Sequence, residues 1–232
     1  MNFFSIIVPA RNEENYIEKT LQSLNSLDYP KELYEIIVVE SGSTDNTLRE
    51  LKKLKNKLTK VYSINKKGVS VARNYGASKT SKKSEWLIFL DADTILKKDF
   101  LNQVNKAVSS KEEPVIGTMR VKPLEKSIKF NIIYFSYNLF LKFVKASYAL
   151  QIIRKKEFAK VRYDENLKVG EDYIIIRKIR EYGRFFFLWS DQAETSTRRF
   201  QKWGSFKLFS MWIKGSLGGY QYKKKLKYEL IR

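Results

Sequence analysis

Neither histidine nor cysteine occurs anywhere in the 232 residues. Without thiols there can be no disulfide, no thiolate metal site and no cysteine nucleophile. Without imidazole there can be no serine–histidine relay and no histidine-bound metal. Any general base must then be a carboxylate, a lysine or a tyrosine, and any metal must be held by oxygen. No run of 18 uncharged apolar residues is present, so no ordinary membrane span is expected. Residues 3–8 lead straight into Pro9 and charge, so no secretory leader is expected either. Internal repeats and low-complexity linkers are also missing, which leaves one continuous domain of a size the length allows.

What the chain has in excess is positive charge. Forty-five Lys and Arg against 25 Asp and Glu give a net +20. That balance points to nucleic acid, an anionic membrane surface or phosphorylated substrates.

Short apolar runs alternate with helical periodicity. Residues 3–8, 34–39, 61–64 and 86–90 read as strands buried on both faces. Between them, Ile17, Leu21, Leu24 and Leu27 make one helical stripe and Leu48, Leu51, Leu54 and Leu58 another. Asn12 is placed to cap the first helix, with Glu13 and Glu14 in its first turn. A third helix contains residues 72–77. The alternation predicts an α/β fold with a mostly parallel central sheet flanked by helices.

Beyond it, a helix is expected near 99–108, strands near 115–121 and 185–189, and a helix over 173–180. Residues 127–148 read as one amphipathic helix. Asn131, Asn138, Lys142 and Lys145 form its polar stripe, and Ile132, Ile133, Phe135, Leu139, Phe140, Phe143 and Val144 fill the rest. Such a segment suits a membrane interface, the sheet or a second subunit. The end of the chain, 205–232, reads as a basic amphipathic extension able to meet an anionic surface.

The buried run Trp86-Leu87-Ile88-Phe89-Leu90 meets Asp91-Ala92-Asp93. In open α/β sheets ligands gather at the carboxyl ends of strands, and two carboxylates there make a hard oxygen site for Mg²⁺ or Mn²⁺. Ile95 and Leu96 stand where a calcium loop would need further ligands and glycine. A second acidic pair, Glu171-Asp172, opens a helix. In a chain without histidine Asp172 is a candidate general base, although an acid there can also be only a cap. Arg198-Arg199, behind Thr195-Ser196-Thr197, can form a phosphate clamp or a solvated basic loop.

The combination resembles the family 2 inverting glycosyltransferases of the GT-A (nucleotide-diphospho-sugar) fold, from residue 3 to about 204. The resemblance rests on Ile7-Val8-Pro9-Ala10-Arg11-Asn12-Glu13-Glu14, Val38-Val39-Glu40-Ser41-Gly42-Ser43-Thr44-Asp45, Ala72-Arg73-Asn74-Tyr75-Gly76-Ala77, Phe89-Leu90-Asp91-Ala92-Asp93 and Gly170-Glu171-Asp172. It implies a nucleotide-binding half over 1–93 and an acceptor half over 94–204, with 205–232 appended.

By position, it implies that Pro9, Ala10, Arg11 and Glu13 line the nucleoside pocket. Glu40 would receive the base beside Ser43, with Gly68 and Arg73 closing the other side. Asp91 and Ala92 would meet the donor. Asp93, with Asp91, would hold Mn²⁺ or Mg²⁺ on the diphosphate. Asp172 would be the catalytic base, and Arg198 and Arg199 would hold the leaving diphosphate. Glu40 departs from the family's usual aspartate, and Arg162-Tyr163 from its glycine pair ahead of Asp164-Glu165.

The implied activity is inverting, metal-assisted transfer of a sugar from a UDP- or GDP-linked donor to a hydroxyl or a lipid phosphate. The acceptor would be a glycan or a lipid-linked molecule. The implied location is cytoplasmic, with peripheral contact at the membrane's cytoplasmic face and a homodimer left open. The competing readings are a nucleic-acid-binding protein and a nucleotidyltransferase. The basic residues are dispersed and no nucleic-acid motif is present, which argues against the first and against a nucleic-acid partner. The second would normally carry a glycine-rich loop where Ala10-Arg11-Asn12-Glu13 stands.

Overall fold

The computed structural model describes residues 1–167 and 170–204. It opens with β1 (Phe4–Ala10), α1 (Ile17–Asn25), β2 (Tyr34–Glu40), α2 (Thr47–Leu54), β3 (Thr59–Ser63), α3 (Val69–Ser78) and β4 (Trp86–Leu90). These four strands are parallel and lie in the order β3-β2-β1-β4. Side chains alternate between two apolar layers, as strand geometry requires. Phe4, Ile6, Val8, Ile36 and Val38 pack with Ile17, Leu21 and Leu24 of α1. Ile7, Ile37 and Val39 pack on the other face with Ala72 of α3. A Cβ on Gly76 would stand 2.5 Å from the Ile7 Cγ2 methyl, so glycine is what lets α3 lie this close to β1.

The chain continues through β5 (Thr94–Leu96), α4 (Phe100–Val108), β6 (Pro114–Pro123), α5 (Ile128–Val144), β7 (Leu150–Arg154), α6 (Lys155–Val161), α7 (Glu171–Ile179), β8 (Arg184–Thr195) and α8 (Arg198–Trp203). The eight strands of the described residues form one sheet, β3-β2-β1-β4-β7-β6-β8-β5. β6 and β8 are parallel, whereas β7 is antiparallel to both β4 and β6, and β5 is antiparallel to β8. The expected α/β architecture with a mostly parallel sheet is therefore present.

The local expectations change in several places. The helix expected over 127–148 stops at Val144, where Lys145 takes a φ of 54°, and the chain then enters β7. β5, β7 and α6 had no counterpart in the sequence reading. Asn12 does not cap α1, which begins at Ile17. Its backbone turns at φ 54° and its side-chain oxygen accepts from Thr44 N–H at 2.8 Å, joining two loops instead. Arg198 and Arg199 open the short helix α8 rather than a loop.

The largest correction concerns α5, whose expected polar stripe holds a buried residue. Asn138 is 2% exposed and packs among Tyr134, Tyr137 and Leu141. Its side-chain oxygen accepts from Val121 N–H at 2.9 Å, and its amide donates to Val121 C=O at 2.8 Å. β7 pairs with β6 only at Ile116 and Gly117, and the β6–β8 register shifts between Met119 and Val121. Asn138 thus serves backbone groups that the ladder leaves over. The apolar residues Ile128, Ile132, Phe135, Leu139 and Phe143 face outward instead. Among the described residues no helix is long and apolar enough to cross a membrane. The extension expected over 205–232 lies outside the described residues.

Candidate active site

Three neighbouring strands end together. β1 leads into Arg11, β2 ends at Glu40, and β4 leads into Asp91. The loops beyond these ends hold most of the residues singled out in the sequence. Pro9 and Ala10 lie in β1 opposite Val39 and Glu40 of β2. Asn12 N–H donates to the Ser43 hydroxyl at 3.0 Å, and Glu13 N–H to the Thr47 hydroxyl at 2.7 Å, so the first two loops are tied together.

Glu40 is buried, and one carboxylate oxygen accepts from Ser43 N–H at 2.5 Å while the other accepts from the Ser63 hydroxyl at 2.6 Å. Its extra methylene is accommodated inside the turn. Gly68, with a φ of 140°, starts α3 beside this turn, and Lys67 reaches across to Gly42.

Two arginines organise the acids. Arg73 lies in α3 with its side chain almost wholly buried. One of its nitrogens meets Asp91 at 3.1 Å, and another meets Asp172 at 2.5 Å and Glu171 at 3.4 Å. Its guanidinium also lies over the Tyr163 ring, 5.1 Å from the centroid. Burial alone would lower the Arg73 pKa, but Asp172, Asp91 and Glu171 more than reverse that and keep it cationic. Burial together with the adjacent Asp172 pushes the Glu171 carboxyl up to about 7, against the pull of Arg73.

Arg198, on the other side, grips Glu13 with both terminal nitrogens at 2.8 Å and reaches Asp93 at 2.9 Å. Asp93 is 5% exposed and also takes a 3.3 Å contact from the Thr195 hydroxyl. Burial holds its carboxyl above the usual range, and the pull of Arg198 does not fully offset it. Asp93 is therefore part of the interior. Arg199 approaches Asp91 at 3.9 Å. Ala92 is buried beneath the pair, where its carbonyl accepts from the Thr20 hydroxyl.

The structure thus gathers Glu13, Arg73, Asp91, Asp93, Asp172, Arg198 and Arg199 around one centre, and places Glu40, Ser43 and Gly68 at its flank. Half-buried Arg11 follows β1 at the same end. Glu171, Tyr163 and Thr195 were not singled out as site residues. Glu171 was visible as half of an acidic pair, Thr195 only as one of the hydroxyl residues ahead of Arg198, and Tyr163 only as a departure from the family's glycine pair.

Among the described residues, no three acidic, histidine or cysteine side chains are grouped so as to hold a metal ion. The chain offers two carboxylates, Asp91 and Asp93. Mg²⁺ sites of this kind are commonly completed by substrate phosphates and water. Both carboxylates are oxygen donors of the kind a hard divalent cation takes; the Asp91 side chain is 18% exposed, and Asp93 is engaged by Arg198.

Residues 5–160 match the family model described as Glycosyl transferase family 2. A dolichyl N-acetyl-alpha-D-glucosaminyl phosphate 3-beta-D-2,3-diacetamido-2,3-dideoxy-beta-D-glucuronosyltransferase of Methanococcus voltae is 38% identical over 123 residues, covering 50% of this chain and 38% of that protein. The poly(ribitol-phosphate) beta-N-acetylglucosaminyltransferase TarS of Staphylococcus aureus is 34% identical over 116 residues, covering 49% and 20%. The chain matches well under half the length of these relatives.

Among solved structures, residues 1–349 of S. aureus TarS superpose with a TM-score of 0.69 at 22% identity, over 95% of this chain and 68% of that one. A mannosyltransferase of Pyrobaculum calidifontis, in complex with GDP-Man and Mn²⁺, gives a TM-score of 0.67 at 17% identity, over 95% and 66%. At these identities the likeness is one of fold.

Proposed function

The chain belongs to glycosyl transferase family 2, and from that premise we propose that it transfers a sugar from a nucleoside-diphosphate donor to an acceptor hydroxyl or lipid phosphate, with inversion. The observation that carries the reading is the position of Arg73. Its guanidinium holds Asp91, at the end of a nucleotide-side strand, and Asp172, at the start of α7, in one cluster. Donor recognition and proton removal are thereby kept at a fixed separation.

Asp172 is the base in this reading. Its side chain is 28% exposed, the most open of the three acids on Arg73, so an acceptor hydroxyl can reach it. As that oxygen bonds to the anomeric carbon, its proton passes to Asp172, and the bond from the anomeric carbon to the diphosphate oxygen breaks on the opposite face. With a lipid phosphate as acceptor the nucleophile is already anionic and the base contributes less. Charge then develops on the diphosphate, and in this reading Arg198 and Arg199 receive it. A divalent cation held by Asp91 and Asp93, Mn²⁺ or Mg²⁺, would supply further neutralisation of that charge when bound.

UDP and GDP donors are both supported by relatives, since S. aureus TarS is known with UDP-GlcNAc and the Pyrobaculum enzyme with GDP-Man and Mn²⁺. The test is a panel of UDP- and GDP-sugars screened by thermal shift with and without Mn²⁺. A donor present at about a hundredfold over its dissociation constant adds roughly 2.7 kcal/mol of apparent stability. One nucleotide sugar should raise Tm in a Mn²⁺-dependent way and be consumed when acceptor is added. No shift with any member of the panel rejects the reading.

A further inference from the structure

α5 turns an apolar stripe to solvent. Ile128, Ile132, Phe135, Leu139 and Phe143 recur at three- and four-residue intervals and so share one face of the helix. They are 82%, 63%, 46%, 47% and 86% exposed. The inward face, with Tyr134, Tyr137, Asn138 and Leu141, is fully used by the core. Trp189, 39% exposed, widens the stripe by stacking edge-on against Phe135 at 5.8 Å.

The rim of this stripe is basic. Lys126, Lys129, Lys142 and Lys145 are all exposed, and α5 contains no Asp or Glu. The Lys142 ammonium lies 5.6 Å from the Trp189 ring centroid, and the Arg120 guanidinium lies 5.0 Å from the same ring. An apolar strip of aromatic and branched side chains edged by lysines is the composition of a helix lying in a lipid interface.

We infer that the outward face of α5 docks on an anionic membrane surface, with its five apolar side chains in the interface and the lysines on the lipid phosphates. Charge decides between the candidate occupants. A second copy would bring the same lysines face to face, whereas an anionic lipid surface neutralises them.

The inward face gives the docking a consequence for the site. The Tyr134 hydroxyl donates to Ser196 C=O at 3.2 Å, and the rings of Phe130 and Tyr134 pack on Phe200. The segment carrying Arg198 and Arg199 is thus braced on the helix that meets the lipid. This inference does not depend on the transferase reading, because vesicle binding and sugar transfer are measured separately.

The experiment is flotation of the full chain with vesicles of neutral phosphatidylcholine and with vesicles containing phosphatidylglycerol, at low and high salt. The Ile128→Ser/Phe143→Ser double variant is compared, and sedimentation velocity reports the oligomeric state. Both replaced side chains are open to solvent, so an unchanged circular dichroism spectrum and Tm are expected. The chain should bind the anionic vesicles and keep part of that binding at high salt, because screening leaves the apolar contribution intact. The double variant should bind about tenfold more weakly.

Equal binding by the variant would mean that lysines elsewhere act alone, and overturns the inference. Absence of binding to anionic vesicles overturns it as well. In that case a dimer dissociated by the double variant would identify a second copy as the occupant.

Discussion

Arg73 and Asp172 meet at 2.5 Å across 99 positions of sequence. One stands in α3 and the other in the first turn of α7. The contact is the shortest of the three that Arg73 makes with carboxylates. With the guanidinium held cationic by the surrounding carboxylates, Asp172 keeps a permanent counter-charge.

Asp172→Asn retains the size and the hydrogen bond to Arg73 but removes the proton acceptor. Donor affinity should be preserved, and turnover on a hydroxyl acceptor should fall by roughly 10²–10⁴. Initial rates alongside donor titrations check this. Turnover within a fewfold of the parent would assign the proton to another group or indicate a phosphate acceptor.

Asp93→Asn addresses the cation. Arg198 retains its contacts to Glu13, so the variant should still fold, with a lowered Tm because one partner of a buried ion pair is removed. The Mn²⁺-dependent part of donor affinity should weaken by roughly 10–100-fold or more. Calorimetric titration with and without Mn²⁺ reads it directly. Unchanged Mn²⁺ dependence in the folded variant would move the cation elsewhere.

Glu171→Gln tests the raised carboxyl. The folded pKa, about 7, lies above the ordinary 4.5. Between those values the folded chain keeps a proton that the unfolded chain has released, so stability falls as pH rises through the window. The contribution lost by pH 8 is at most about 3 kcal/mol. Urea unfolding from pH 4.5 to 8 should give a shallower slope for the variant and a higher stability than the parent above pH 7. Parallel curves would show that Glu171 titrates normally.

Asn138→Ala and Ile132→Ser test the orientation of α5. The first leaves Val121 N–H and C=O without their partner and should cost about 2–4 kcal/mol. The second alters an exposed side chain and should stay within about 0.5 kcal/mol. Urea midpoints rank them, and the reverse order would mean that the opposite face of the helix is the buried one.

The first half of the fold was readable because its strands are buried on both faces. Phe4, Ile6, Ile7 and Val8, or Trp86 to Leu90, leave few alternatives to a covered parallel strand. β7 was not readable, since Leu150-Gln151-Ile152-Ile153-Arg154 holds a buried amide that the Tyr163 hydroxyl satisfies from 12 positions away. The outward turn of α5 was hidden for a similar reason, because Asn138 is drawn inward by backbone groups that β6 leaves unpaired. In the site, the acids and arginines were visible as residues, but their pairing was not. Nothing local indicates that Arg198 binds Glu13, 185 positions earlier.

The insertion of β7 between β4 and β6 also governs how the chain is assembled. β4 pairs with β1 along one side, but its other side is completed only by residues 150–154. During synthesis the parallel half emerges first and carries a wholly apolar strand with one open edge until about sixty further residues have followed. At ribosomal rates of about 5–20 residues per second that interval lasts several seconds. An open edge of this kind is a template for pairing with other chains. A fragment ending before Leu150 would keep that edge permanently, so the parallel half requires β7 as a built-in guard against aggregation.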